Sequence, residues 1–277
     1  GDQGFGLGHT LHRFANKFGG ILNGLDYQVW NPAADPLIPV HFSADDIDGK
    51  FGNKKALRDR LLLREAYKPI VAYIGRLDTQ KGVHLIRHAL FYALQRGAQF
   101  VLLGSSPELG INNDFWHLKH LLNENPDCHL EIGFNEELAH LIYAGSDIIV
   151  VPSMFEPCGL NQIYSQRYGT VPVVRSTGGL ADTVVDTTAE SLAAKTATGF
   201  SFREAAPGAL WSAVQRALAC HAQPEQWQQL MMTGMQQDFS WKQSAMHYIE
   251  LYEQIQGRKS TPPAPETITE TPATGTA

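Results

Sequence analysis

The chain has 277 residues, enough for one large domain or two smaller ones, and its 43% hydrophobic and 18% charged residues describe a globular protein with ample core material. Its 22 Lys and Arg stand against 28 Asp and Glu, a net charge of −6, which argues against nucleic acid or an acidic membrane as partner and leaves any bound anion to a few local cations. Three widely spaced cysteines (Cys128, Cys158, Cys220) without a CxxC fit a reducing compartment rather than a disulfide framework or zinc site, and no apolar run approaches the ~20 residues that span a bilayer.

The opening stretch, GDQGFGLGHTLHRFANKFGG, has neither a signal-peptide pattern nor an initiator Met and reads as the interior of a longer protein. Residues 1–50 lack periodic alternation and carry NGLDYQVWNP, a turn-rich connector. From Pro69 onward, short β-branched runs alternate with helix-period segments. IVAYI (70–74) predicts a buried strand that ends in GRLDTQKG. VHLIRHALFYALQRG places Leu85, Ala89, Tyr92 and Leu94 near one helical face, and Gly97 closes it. QFVLLG predicts a strand, DFWHLKHLLNEN a helix and CHLEIGF a strand. NEELAHLIYAG predicts a helix with Asn135 at its N-cap and Gly145 as its stop. DIIVV (147–151) is the next strand, SMFEPCGLNQIYSQRYG a loop and helix, and TVPVV (170–174) a further strand. GALWSAVQRALACH, PEQWQQLMMTGMQQD and SWKQSAMHYIELYEQIQ predict three closing helices. The Pro/Thr-rich 259–277 is nearly free of apolar residues and predicts a disordered tail.

The strands are apolar throughout rather than alternating, as when both faces of a sheet are covered. With helices between them they predict an α/β fold built on a parallel, doubly wound sheet. Ligands of such sheets sit outside the carboxyl ends of the strands. Three segments fall there: GRLDTQKG, FNEE and PSMFEPCGL.

Glu156 precedes a predicted helix that starts near Gly159 or Leu160, since Leu160, Ile163, Tyr164 and Tyr168 share a helical face. The carboxylate either complements the helix dipole or belongs to a site where the free N–H groups of a helix start meet an anion. Arg76 and Lys81 suit a diphosphate, one as a fork and one as a point charge, unless Asp78 pairs them locally on a solvated loop. In STGGL, Thr177, Gly178 and Gly179 form either a backbone nest for an anion or sugar or a tight turn. His84 and His88 have i, i+4 spacing but no carboxylate partner, and read as a surface helix face, as do His9 and His12. There is no Ser/His/Asp order, Walker loop or GxGxxG.

Taken together, GRLDTQKG, PSMFEPCGLNQIYSQRYGTVPVVRSTGGLADTV, NGLDYQVWNP and DFSW resemble the bacterial glycogen synthase and plant starch synthase family, over about residues 4–256. LGSSPE, NDF and AHLIYAG point to the starch synthase III/IV branch. The resemblance implies the C-terminal half of a retaining GT-B glycosyltransferase that moves glucose from ADP-glucose to the non-reducing end of an α-1,4-glucan, without metal or cofactor. It implies that Arg76 and Lys81 hold the diphosphate and that Glu156 is the active-site carboxylate beside the transferred glucose. Cys158, Gly159, Leu160 and Asn161 would present the helix start to sugar and phosphate. Phe134 would stack on adenine, and Asn23 and Asp26 would line the interdomain cleft.

Three positions depart from the family pattern: Asn161 replaces a Thr, Ser176 replaces a Lys or Arg, and Tyr164 stands where related retaining families carry a second Glu. Tyr164 matches the glycogen and starch branch. The family's N-terminal Rossmann domain, with its Lys-x-Gly-Gly-Leu loop and acceptor surface, is expected to be missing. The implied organisation is 1–30, the end of that domain and the connector; 31–240, a nucleotide-sugar-binding Rossmann-like domain; 241–256, a crossover helix; and 257–277, a tail. The implied location is the bacterial cytoplasm or the plastid stroma. Another retaining GT-B transferase, or a non-catalytic half that binds ADP or glucan, remains the alternative; a phosphorylase is disfavoured by the lack of a cofactor-lysine motif.

Overall fold

The strand–helix alternation folds, in a computed structural model that describes residues 6–257, into a six-stranded sheet in which every paired neighbour is parallel. The strands are β1 (Ile70–Arg76), β2 (Gln99–Ser105), β3 (Cys128–Ile132), β4 (Ile148–Val151), β5 (Val171–Arg175) and β6 (Phe200–Phe202), in the order β3-β2-β1-β4-β5-β6. The chain runs outward from β1 to β3, then returns to β1's other side, so Val71 pairs with Ile148 and Ala72 with Ile149. That reversal opens a crevice at the carboxyl ends of β1 and β4. Strand β6, three residues long, has no apolar run that would announce it.

Helices among the described residues are α1 (Gly8–Arg13), α2 (Gly49–Leu61), α3 (Val83–Gln95), α4 (Leu109–Leu122), α5 (Glu136–Gly145) and α6 (Asn161–Arg167). They continue as α7 (Gly179–Thr183), α8 (Ala189–Ala193), α9 (Pro207–His221), α10 (Pro224–Met235) and α11 (Trp241–Ile255). Helix α3 buries Leu85, Ala89 and Tyr92 as its period requires, together with Ile86, Leu90 and Ala93. The N-cap of α5 is Asn135, whose side chain accepts the Leu138 N–H at 2.9 Å.

Two compact units are distinguished. Leu22–Trp241 holds the sheet and α2 to α10; the described part of the other holds α1, a 3-10 turn at Ala15–Lys17 and α11 beyond its first residue. Within the larger unit the connector is ordered despite its lack of periodicity. The Leu25 N–H donates to Phe239 O at 2.7 Å, and Trp30 stacks at 3.9 Å on both His140 and Tyr164. Buried Asp35 meets the Tyr168 hydroxyl at 2.6 Å and His140 Nδ1 at 2.7 Å. Side chains of the connector, not backbone repetition, hold it to α5 and α6. Among the described residues no helix is long and apolar enough to cross a membrane. The expected tail at 259–277 lies outside the described residues.

Candidate active site

Adjacency of β1 and β4 brings together the loops that follow them. Gly82 packs against the Pro152 carbonyl at φ +73°, where a Cβ would stand 2.3 Å from that oxygen, so only glycine permits the approach. The Met154 N–H donates to Gln80 O at 2.7 Å. Across this seam Lys81 Nζ forms an ion pair with Glu156 Oε2, which also accepts Ser153 Oγ at 3.1 Å. The two side chains are only 19% and 8% exposed, so the pair is well shielded at the floor of the crevice.

Asp78 organises the rest of the first loop. One of its oxygens accepts the Lys81 backbone N–H at 2.8 Å and the other pairs with Arg76 Nη1 at 3.1 Å. Arg76 also donates to Gln80 Oε1 at 3.0 Å, yet its side chain is 59% exposed, so its guanidinium stands at the rim. The local pairing with Asp78 therefore exists and still leaves the cation open to solvent.

Helix α6 begins at Asn161, five residues beyond Glu156 in the sequence, and is only seven residues long. The Glu156 carboxylate is thus engaged by a cation from another strand end, while its side chain also lies beside Gly159, two residues before α6. Asn161 Nδ2 donates to Ile74 O at 2.6 Å and ties the start of α6 to β1. Buried Gln162 donates to Cys158 O at 3.1 Å and Gly159 O at 2.9 Å, shaping the turn that carries Cys158, Gly159 and Leu160, all half-buried. Gly178 and Gly179 press on the Glu156 loop: a Cβ on either would lie 2.1 Å from a carbonyl oxygen, of Glu156 or Cys158 respectively. The Gly179 N–H is committed to Glu156 O at 2.9 Å, so the turn beside Thr177 braces the carboxylate's backbone with one of the donors a nest would have offered.

The other expected site residues have no described contact with the Lys81–Glu156 pair. Phe134 is 89% exposed on the loop after the edge strand β3, two strands from β1. Asn23 is exposed, and exposed Asp26 closes a turn on the Gln28 N–H at 2.8 Å; no described contact joins either to the Lys81–Glu156 pair. His84 and His88 lie on the exposed face of α3, His88 edge-on to Trp211.

Two further residues of the site are not singled out by the sequence. Arg175 Nη1 donates to Met154 O at 2.6 Å and Ser153 O at 3.3 Å, pinning the Glu156 loop from the end of β5. The Tyr73 hydroxyl donates to Arg76 O, and burial pushes its pKa well up, so it stays a donor. The one available hint was a lone Arg closing the apolar run TVPVV.

The chain matches the family of glycosyl transferases group 1 over residues 54–230. It belongs to that family. It is 57% identical over 257 residues to glycogen synthase 2 of Methylococcus capsulatus, covering 92% of this chain and 53% of the relative. To glycogen synthase 1 of Nitrosococcus oceani it is 53% identical over 256 residues, again 92% of this chain and 53% of the relative. A solved structure, the catalytic domain of starch synthase IV from Arabidopsis thaliana bound to ADP and acarbose, superposes with a TM-score of 0.87 at 43% identity, covering 92% of this chain and 52% of that one. The expected kinship to glycogen and starch synthases and the expected GT-B C-terminal-type α/β fold are thereby found. This group 1 glycosyl transferase chain spans about half the length of the curated relatives it matches.

Proposed function

We propose that the chain forms the nucleotide-sugar side of a retaining glucosyltransferase that moves glucose from ADP-glucose to the 4-OH at the non-reducing end of an α-1,4-glucan, in the bacterial cytoplasm or the plastid stroma. The observation that carries this reading is the shielded Lys81–Glu156 pair at the β1/β4 switch point, with Arg76 at the rim above it. In this reading Arg76 and Lys81 meet the diphosphate, and their fixed charge stabilises ADP as it departs. Lys81 has three N–H donors, so it can keep Glu156 while a second donor turns to phosphate. Glu156, held by Ser153 and Lys81, faces the transferred sugar. Phe134 supplies a free aromatic face for adenine. Retention by double displacement needs a second carboxylate close to the sugar; Tyr164 occupies the position where related families have one, and same-face departure and attack is the route we favour. The acceptor surface, and the cleft wall beyond Asn23 and Asp26, belong to a preceding domain.

The test uses the chain joined to that domain, with radiolabelled glucose transfer as readout. Lys81→Ala should cost ~2–4 kcal/mol of transition-state stabilisation, the scale of losing one preorganised donor. Glu156→Gln keeps the shape and should leave the fold intact while turnover falls strongly. Unchanged transfer by Lys81→Ala removes it from the mechanism, and an early-melting but active Glu156→Gln makes the carboxylate structural.

A further inference from the structure

At the opposite end of the sheet, by the amino ends of β1 and β4, lies a cavity of about 330 Å³ that the proposed reaction does not use. That volume falls in the range that holds small organic ligands. Its two long walls are helical stripes of opposite character. From α2 come Lys50, Phe51, Lys54, Lys55, Arg58 and Asp59, and from α10 come Pro224, Trp227, Gln228 and Met231, the α10 set spaced i, i+3, i+4, i+7. One wall is therefore largely cationic and the other largely apolar.

Among the described residues, two cations lining the cavity lack a carboxylate partner, Lys50 and Arg58, but Lys50 is buried with its ammonium enclosed by Thr170 Oγ1 and the Tyr143, Ala144 and Tyr168 carbonyls. Asp147 at the floor is engaged by Lys54 at 2.7 Å, by His221 at 3.3 Å and by the Ile70 N–H at 2.7 Å. Lys55 pairs with Asp59 at 2.8 Å, and Lys68 with Asp127 at 2.7 Å. Arg58 donates to Gln99 Oε1 and Lys68 O, both at 2.8 Å, forms no ion pair among the described residues, and has more N–H donors than those two bonds use. It is half-buried; burial lowers its pKa, and the charges of Asp147, Glu65 and Asp127 raise it back in part. Asp48 and Glu65 at the mouth are exposed and screened by water. Beside them Tyr67 and Phe51 are 99% and 64% exposed, two rings standing in solvent at the entrance.

We propose that this cavity is a second ligand site, for a small flat anion whose aromatic ring lies against Trp227 and Met231 and whose carboxylate or phosphate meets Arg58. A guanidinium forks onto either head group, and the ring replaces water on the apolar wall. The site is independent of the glucosyl-transfer reading, because it shares no residue with the β1/β4 crevice.

Calorimetric titration of the chain with 2-naphthoate and with 2-naphthyl phosphate, each with and without saturating ADP, tests the proposal; the two probes separate a carboxylate site from a phosphate site. At least one probe should bind saturably at one site with a Kd of ~0.1–1 mM. Uncharged 2-naphthalenemethanol should bind about tenfold more weakly or worse. Arg58→Met should weaken the anion by about the same factor, as should Phe51→Glu, which changes an exposed ring and keeps Arg58's hydrogen bonds in case their loss unfolds the chain. ADP should leave probe binding unchanged. No saturable binding of either probe, equal affinity for the uncharged analogue, displacement by ADP, or indifference to Phe51→Glu would each overturn the site.

Discussion

Lys50 lies among the buried residues, and its ammonium is ringed by Thr170 Oγ1 at 2.8 Å, Tyr168 O at 2.9 Å, Ala144 O at 3.0 Å and Tyr143 O at 3.2 Å. It thereby ties α2 to the end of α5 and to the turn after α6. Burial lowers its pKa to about 7; Asp147 pulls it back up and Lys54 pushes it further down. An unfolded lysine titrates near ~10.4, so between these values the unfolded chain holds a proton that the folded one has released, and stability rises with pH across that window. Below the folded value both states are protonated and the burial cost is felt in full. We expect the chain to gain on the order of 2 kcal/mol from Lys50 between about pH 6 and pH 9, and Lys50→Met to lack that gain. Urea denaturation of both proteins at the two pH values checks it: parallel curves would show that Lys50 does not titrate in this range. Lys50 was not legible in the sequence, because a lysine in KFGNKKALRDR looks like any solvated charge. Glu156, Lys81 and Arg76 were legible as residue types at strand ends, whereas the Lys81–Glu156 pairing depends on which strands neighbour each other.

At the scale of elements, strands β1 to β5 and helices α3, α5, α9, α10 and α11 follow from apolar runs and periodicity. Helix α2 does not, because two of the four positions it buries, Lys50, Asn53, Leu57 and Leu61, are polar and hide its stripe. The braces of the site, Gln80, Ser153 and Arg175, escape for a related reason: they act largely on backbone carbonyls or through their own, and such contacts impose no spacing on sequence. The join between the β1 and β4 loops can be tested by comparing two glycines of similar backbone. Gly82 has φ +73° and Gly97 φ +78°, but a Cβ at Gly97 meets nothing within 4 Å, while one at Gly82 drives into Pro152 O. Gly97→Ala should cost ~1 kcal/mol, the backbone term alone. Gly82→Ala adds displacement of the second loop and should cost roughly 2–4 kcal/mol. Hydrogen exchange at Met154, whose N–H bonds Gln80, should quicken only in Gly82→Ala. Equal losses in both variants would mean that the loops are joined by something other than this close approach.

For the molecule as a whole, the decisive quantity is how much of a two-sided cleft one side can supply. Glucosyl transfer requires the donor to be gripped from both sides, the acceptor hydroxyl to be positioned, and water to be excluded by closure. In the proposed reading this chain contributes the ADP side, and Arg76, with its side chain 59% exposed, faces solvent instead of a closed wall. The smaller unit raises a second expectation. On α11, Ile249, Leu251, Tyr252 and Ile255 are 48%, 42%, 58% and 74% exposed, and Trp241 and Tyr248 add 50% and 38%. Such a density of exposed apolar side chains on one helix favours association in water. In the family to which the chain belongs, we propose that this helix crosses back onto the preceding domain. We therefore expect the 277-residue chain by itself to bind ADP weakly, to transfer no glucose, and to self-associate as its concentration rises. Sedimentation velocity should show that association, and Leu251→Glu with Tyr252→Glu should abolish it without altering ADP affinity, because neither residue belongs to the β1 and β4 loops that carry the proposed site. Titration with ADP and a radiolabelled transfer assay on the same preparation complete the test. Robust transfer by the chain alone would place the whole active site within these residues and remove the need for a second wall.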